Sequence, residues 1–260
     1  MFKRFSRRVA AAGLARPPVD GEPVRDSDLA ALPDTVQRYL RFMGVAGRPR
    51  DWSFRAHFTG RFRMRPGQGW MPLESWQYNS ALAVARLFYM RLRVAGVVPM
   101  CGWDTYVGGR GRMLGKVLGL VTVADGHGDA FDIGELTTYL NDAIIMGPSM
   151  LLGPATSWSA VDDQSFDVAL SDSGRTVSAR VFVDDRGAPQ NFSTNDRFAA
   201  LPEGIKRARW TTPLEGWRLV DGRPLPARGS AVWHFADGPF PYAEFRLRDD
   251  SVAHNVAPGA

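Results

Sequence analysis

The chain has 260 residues, 45% of them apolar and 23% charged, enough to bury a sizeable core. Its formal net charge of +5 resides in residues 1–16, where Lys3, Arg4, Arg7, Arg8 and Arg16 meet no acid, and the remainder balances at 27 basic and 27 acidic residues. That balance excludes a basic body built to track nucleic acid, and the single cysteine, Cys101, excludes an internal disulfide framework.

The first 16 residues combine a basic start with a short Ala-rich apolar stretch, Val9–Ala15. This stretch is far too short to span a membrane and sits at the short limit for an export signal. A solvated terminus is expected, with peripheral contact to anionic lipid through residues 1–16 as the alternative. The expected location is cytoplasmic or membrane-peripheral in preference to periplasmic. Residues 17–31 are rich in Pro, Asp and Gly and extend the tail as a linker, so 1–31 is expected to be disordered. One β-rich domain is then expected over 32–248, with a loose end at 249–260.

A helix is predicted over 33–43. Proline suits its first position, Gly44 its stop, and Val36, Tyr39, Leu40 and Met43 share one face. The run Trp52–Arg65 then alternates strictly. Phe54, Ala56, Phe58, Gly60 and Phe62 fall on one face, and Arg55, His57, Thr59 and Arg61 on the other. Period two with one greasy face marks a strand of a half-solvated antiparallel sheet. Strands follow over 70–79 and 86–98, and Gly108-Gly109 joins two more. Residues 114–123 form a further strand or strand pair.

A second helix is predicted over 132–147. Asp132 and Glu135 have the spacing of a capping box, and Leu136, Tyr139, Leu140, Ala143 and Ile144 form a stripe that Pro148 ends. Strands resume at Phe166–Leu170 and Val177–Val183. Residues 201–209 read as a loop or short helical turn. Asp221-Gly222 is the strongest hairpin signal, and Tyr242–Arg248 is the last strand. The sum is a mainly β (α+β) fold of about ten strands. It forms a long curved antiparallel sheet or unclosed half-barrel, with the 132–147 helix against its concave face.

Catalytic signatures are missing: the chain has no phosphate-binding loop, nucleophile elbow or zinc-protease motif. Asp125, His127, Asp129, Asp132 and Glu135 form the densest polar cluster, but their spacing is not that of an EF-hand. A solvated turn and a helix cap account for them, so neither a metal nor a cofactor is expected. The aromatic and methionine supply is the stronger lead. Phe54, Phe58, Phe62 and Met90, with Leu136 and Ile144 from the helix, are predicted to line a space for a flexible apolar ligand. Trp76 and Tyr78 are assigned to the same concave face.

The segments at 32–49, 104–121, 134–140 and 223–245 resemble a widespread bacterial family of unknown function, and the likeness covers most of residues 32–248. More distantly, the order of elements is similar to the lipoprotein carriers and lipid-binding proteins of the Lol type. That resemblance implies an unclosed, twisted half-barrel covering helices with a hydrophobic cavity between.

The favoured role is therefore a non-enzymatic binding protein for a lipid-like or other apolar molecule. One alternative is an enzyme with an unfamiliar polar site drawn from Asp104, Tyr106, His127 and Glu135. Another is a structural or interaction module held at a membrane surface by the basic tail.

Overall fold

The computed structural model describes residues 2–15, 21–94, 96–201, 204–248 and 251–260. Helices α1 (Phe2–Ala11), α2 (Asp26–Leu29) and α3 (Asp34–Phe42) come first. Six strands follow as a meander: β1 (Ser53–Phe62), β2 (Met71–Ser80), β3 (Ala85–Val94), β4 (Val98–Val107), β5 (Arg110–Val117) and β6 (Val121–His127). After α4 (Asp129–Met146) and a 3-10 turn at Pro148–Leu151 come β7 (Thr156–Asp162), β8 (Ser165–Asp172), β9 (Arg175–Val183) and β10 (Pro189–Thr194). The chain closes with β11 (Phe198–Leu201), β12 (Gly204–Arg207), β13 (Arg209–Thr211), β14 (Leu214–Val220), β15 (Arg223–Phe235), β16 (Gly238–Leu247) and β17 (Ala253–His254).

Fifteen of these strands form one sheet, ordered β6-β5-β4-β3-β2-β1-β16-β15-β13-β10-β9-β8-β7, with β14 on β15 and β17 on β1. The count exceeds the expected ten for local reasons. The stretch 114–123 splits at a turn into β5 and β6. In the stretch 201–209, expected as a loop or short helical turn, the described residues instead contribute to the small β11–β12 ribbon, which pairs Phe198 with Arg207, and to β13. The Asp221-Gly222 hairpin forms as expected, both residues adopting positive φ (49° and 70°) with Val220 opposite Arg223.

The sheet curls around α4, which touches β3 to β6 from one end and β9 from the other. β6 and β7 end the order unpaired with each other, so the barrel stays open. One rim is nevertheless drawn together. The Tyr106 hydroxyl donates to Asp172 Oδ2 (2.6 Å), and Arg175 Nη1 donates to the Gly109 carbonyl (3.3 Å).

Three devices seat α4. At its start, a Cβ on Gly111 would lie 2.1 Å from the Phe131 carbonyl oxygen, so only glycine lets β5 pass this close. The helix begins at Asp129, after Gly128 (φ +95°) at the cap, three residues earlier than predicted. Asp132 is therefore not its cap but a buried anchor, accepting from the Gly111 amide (2.7 Å), Arg175 (2.7 Å) and Arg110 (3.2 Å). The predicted capping box fails because Asp132 has this stronger set of donors on the strands. At the far end, Asp51 takes a bidentate contact from Arg223 (2.8 and 3.0 Å) and a hydrogen bond from Ser149 Oγ (2.7 Å). His254 Nε2 meets the Met146 carbonyl at 2.7 Å, and burial holds this imidazole below its ordinary value.

The convex face differs from the expected solvated surface. Trp76, Tyr78, Tyr89 and Trp103 lie on it, and α1 covers them with Phe5 and Val9, both buried. Phe5 stacks on Trp103 (6.3 Å between centroids), and Arg8 sits over the same ring at 4.2 Å. Residues 2–11 are thus a docked helix and not a frayed tail, because Phe5 and Val9 supply one helical face to a greasy patch. The apolar face of this helix is committed to the protein's own sheet. The remaining tail residues, 1 and 16, and linker residues 17–20 lie outside the described residues. The expected loose end also differs over 251–260: β17 pairs with β1, and Tyr78 OH donates to the Val256 carbonyl (3.0 Å). Residues 249 and 250 of that end lie outside the described set.

Candidate functional site

Alternation along the strands delivers a row of side chains into the space under α4. Phe58 and Phe62 come from β1, Arg86, Phe88 and Met90 from β3, and Asp104 from β4. β16 adds Phe245, which meets Phe58 (5.9 Å) and Phe88 (6.2 Å) edge-on. A β-bulge between Ala231 and Val232 lets both Tyr242 and Ala243 face inward, and Tyr242 OH accepts from Trp210 Nε1 (3.1 Å).

These walls enclose two adjoining lobes. One, of about 150 Å³, is bounded by Phe58, Phe88, Ile145 and Phe245. The other, of about 410 Å³, is bounded by Leu92, Met100, Phe131, Trp233 and Phe240. Phe62, Met90, Asp104, Glu135, Arg197 and Tyr242 border both lobes and mark the junction.

A buried ionic cluster crosses this apolar space. Arg86 Nη1 donates to Glu135 Oε2 (2.9 Å) and Arg86 Nε to Asp142 Oδ2 (2.7 Å), while Gln77 Nε2 also donates to Asp142 Oδ2 (2.6 Å). Burial opposes the Arg86 charge, but Asp142, Glu135 and Asp104 outweigh it and hold the guanidinium charged more firmly than usual. Burial pushes Glu135 up to about 7 despite Arg86, and Asp104 adds to the rise. Asp104 is raised in the same way, by burial against the pull of Arg86 and Arg197.

Arg197 stands apart. Its guanidinium lies 4.3 Å from the Trp210 ring centre and 5.5 Å from that of Trp233. Its nearest carboxylate, on Glu135, is 4.0 Å away. Among the described residues, Arg197 Nε and Asp104 Oδ1 are buried without a hydrogen-bond partner.

Of the six predicted lining residues, Phe58, Phe62 and Met90 face the cavity. Phe54, Leu136 and Ile144 do not: all three are fully buried in the main core. The sheet wraps α4 on both sides, so the apolar stripe of the helix packs into that core. Its other side, carrying Glu135, Thr138, Asp142 and Ile145, borders the cavity.

Of the alternative polar set, Asp104 and Glu135 converge at the junction. Tyr106 is turned to Asp172 at the rim, and His127 lies exposed at the end of β6 opposite Arg112. Among the described residues, no group of three or more His, Cys, Asp and Glu side chains is arranged to hold a metal ion. No helix among them is long and apolar enough to cross a membrane.

Arg86 and Arg197 escaped sequence reasoning. The first had a signal: it shares a strand face with Phe88, Met90 and Leu92, and a charge on an apolar face needs a buried partner. The second precedes a short strand and had none.

The architecture defines a class: an open antiparallel half-barrel wrapped around one helix, with an internal aromatic-lined cavity. The chain belongs to a family of unknown function, DUF6544, whose pattern matches residues 22–245. Among solved structures, the chain is similar to a LolA-superfamily protein from Nitrosomonas europaea. The two share 11% identity over 86% of this chain and 93% of that one, with a TM-score of 0.46. It is also similar to a DUF1329 family protein from Desulfovibrio piger, at 9% identity over 86% of this chain and 92% of that one, with a TM-score of 0.47. No curated protein matches the chain.

Proposed function

We propose that the protein is a non-enzymatic binding protein for an apolar, lipid-like ligand held between α4 and the concave face of the sheet. The observation that carries this reading is the larger lobe. Its volume of about 410 Å³ falls within the range of small-molecule sites, and its walls are aromatic, aliphatic and methionine side chains. Phe62 and Met90 line both lobes, so the apolar lining extends to the junction with the smaller lobe. Methionine thioethers adapt to a flexible guest at little cost.

The test is to purify the full chain, extract it with organic solvent, and examine both the extract and the intact protein by mass spectrometry. Co-purifying amphiphile, together with a thermal shift on adding fatty acids or phospholipids, is the expected result. A protein that carries no guest and shows no shift with either class would remove the basis for the proposal.

A further inference from the structure

Resting on the reading of the cavity as an apolar binding site, the geometry points to a carboxylate as the polar end of the ligand, received by Arg197 at the junction of the two lobes.

Five charged side chains meet there, and four are accounted for or adjustable. Arg86 is paired with Glu135 and Asp142. Asp142 takes donors from Arg86 and Gln77. Glu135 and Asp104 are carboxyl groups that can take up a proton and lose their charge, and burial already favours this in both. Arg197 has no such exit, because a guanidinium stays charged and offers five donors with no acceptor capacity.

Within the protein, Arg197 finds only an ion pair at 4.0 Å and the faces of two indoles. The indoles stabilise the cation through its plane and offer its N–H groups no acceptor. Arg197 borders both lobes, and its Nε is buried without a partner. The standing demand of the site is therefore for an acceptor, and a carboxylate accepts two parallel N–H bonds from one guanidinium. A phosphate dianion would require a second unpaired cation, and Arg86 is already engaged.

Asp104 lies at the same junction with Oδ1 unpartnered. Once protonated, it becomes a donor that adds a further hydrogen bond to the incoming carboxylate. The ligand class that fits is a single-chain amphiphile with a terminal carboxylate, its head at Arg197 and its chain in the larger lobe.

The experiment compares palmitate, hexadecanol and hexadecylamine as probes by titration calorimetry on the full chain, on Arg197→Gln and on Asp104→Asn. Palmitate is expected to bind about tenfold or more tighter than hexadecanol, the effect of charge-assisted hydrogen bonds in a dry site. Arg197→Gln should erase that preference, with a cooperative thermal unfolding transition reporting that the variant is folded. Asp104→Asn, an uncharged stand-in for the protonated acid, should keep the preference. Equal affinity for palmitate and hexadecanol, a preference for hexadecylamine, or a palmitate preference that survives Arg197→Gln would overturn the carboxylate assignment while leaving the apolar site intact. Failure of all three probes to bind would overturn both.

Discussion

Replacing Arg86 with methionine removes the positive charge that Glu135 and Asp142 share, while keeping an unbranched side chain of comparable reach. Arg86 and Glu135 are almost fully buried, so neither carboxylate left behind can be rescued by bulk water. Breaking a buried pair by deleting one partner costs about 3–5 kcal/mol, and two contacts of 2.7 and 2.9 Å are lost together here. The loss should also depend on pH. Glu135 is held above its ordinary 4.5, at about 7, so the folded state binds its proton more tightly than the unfolded state does. That contribution to stability is fully present below about 4.5 and disappears as pH rises through about 7. The charged groups that act on it are Arg86 from β3, Asp104 from β4, Asp142 from α4 and Arg197 from the segment before β11. Without Arg86 the penalty on its charged form grows, so the deficit should be largest at pH 8 and shrink toward pH 5. Urea denaturation at both pH values measures this. Adding Glu135→Gln and Asp142→Asn to the variant should recover most of the loss at pH 8. A deficit below about 1 kcal/mol at pH 8, or one independent of pH, would refute the reasoning.

Further outcomes follow from the same contacts. Gly111→Ala should cost about 3 kcal/mol, because its Cβ meets backbone at the seat of α4. Gly134→Ala, with nothing within 4 Å of the added Cβ, should gain about 0.5–1 kcal/mol; thermal unfolding distinguishes the two, and equal effects would contradict the close approach at Gly111. Phe5→Ala should release α1, with a loss of about 3 kcal/mol, faster tryptic cleavage at Arg7 and Arg8, and red-shifted tryptophan emission; unchanged cleavage would show that α1 does not depend on this contact. Met90→Trp, at the junction of the lobes, should abolish ligand retention while leaving a cooperative unfolding transition, as mass spectrometry of the intact protein would record.

The sequence by itself determined the strands and most of their turns. Period two in residues 52–65 and 86–98, and the turn pairs Gly108-Gly109 and Asp221-Gly222, are local signals, and local sterics decide them. It also determined which sides of β1 and β3 face inward, so alternation alone assigns Phe58, Phe62 and Met90 to the concave face. What lies on the other side of an element is a non-local matter. A stripe on α4 looked like the only face that needed cover, but the sheet curls far enough to bury both sides. Leu136 and Ile144 went to the core, and the polar side with Glu135 and Asp142 went to the cavity. The same limit applied to α1, whose Phe5 and Val9 have meaning only once Trp76 and Trp103 share the convex face. It applied most strongly to Arg197, which lies 62 positions along the chain from Glu135. Only the folded sheet brings that guanidinium, its two indoles and the acids to one point, because the free energy of a buried charge is set by its neighbours in space and not in sequence.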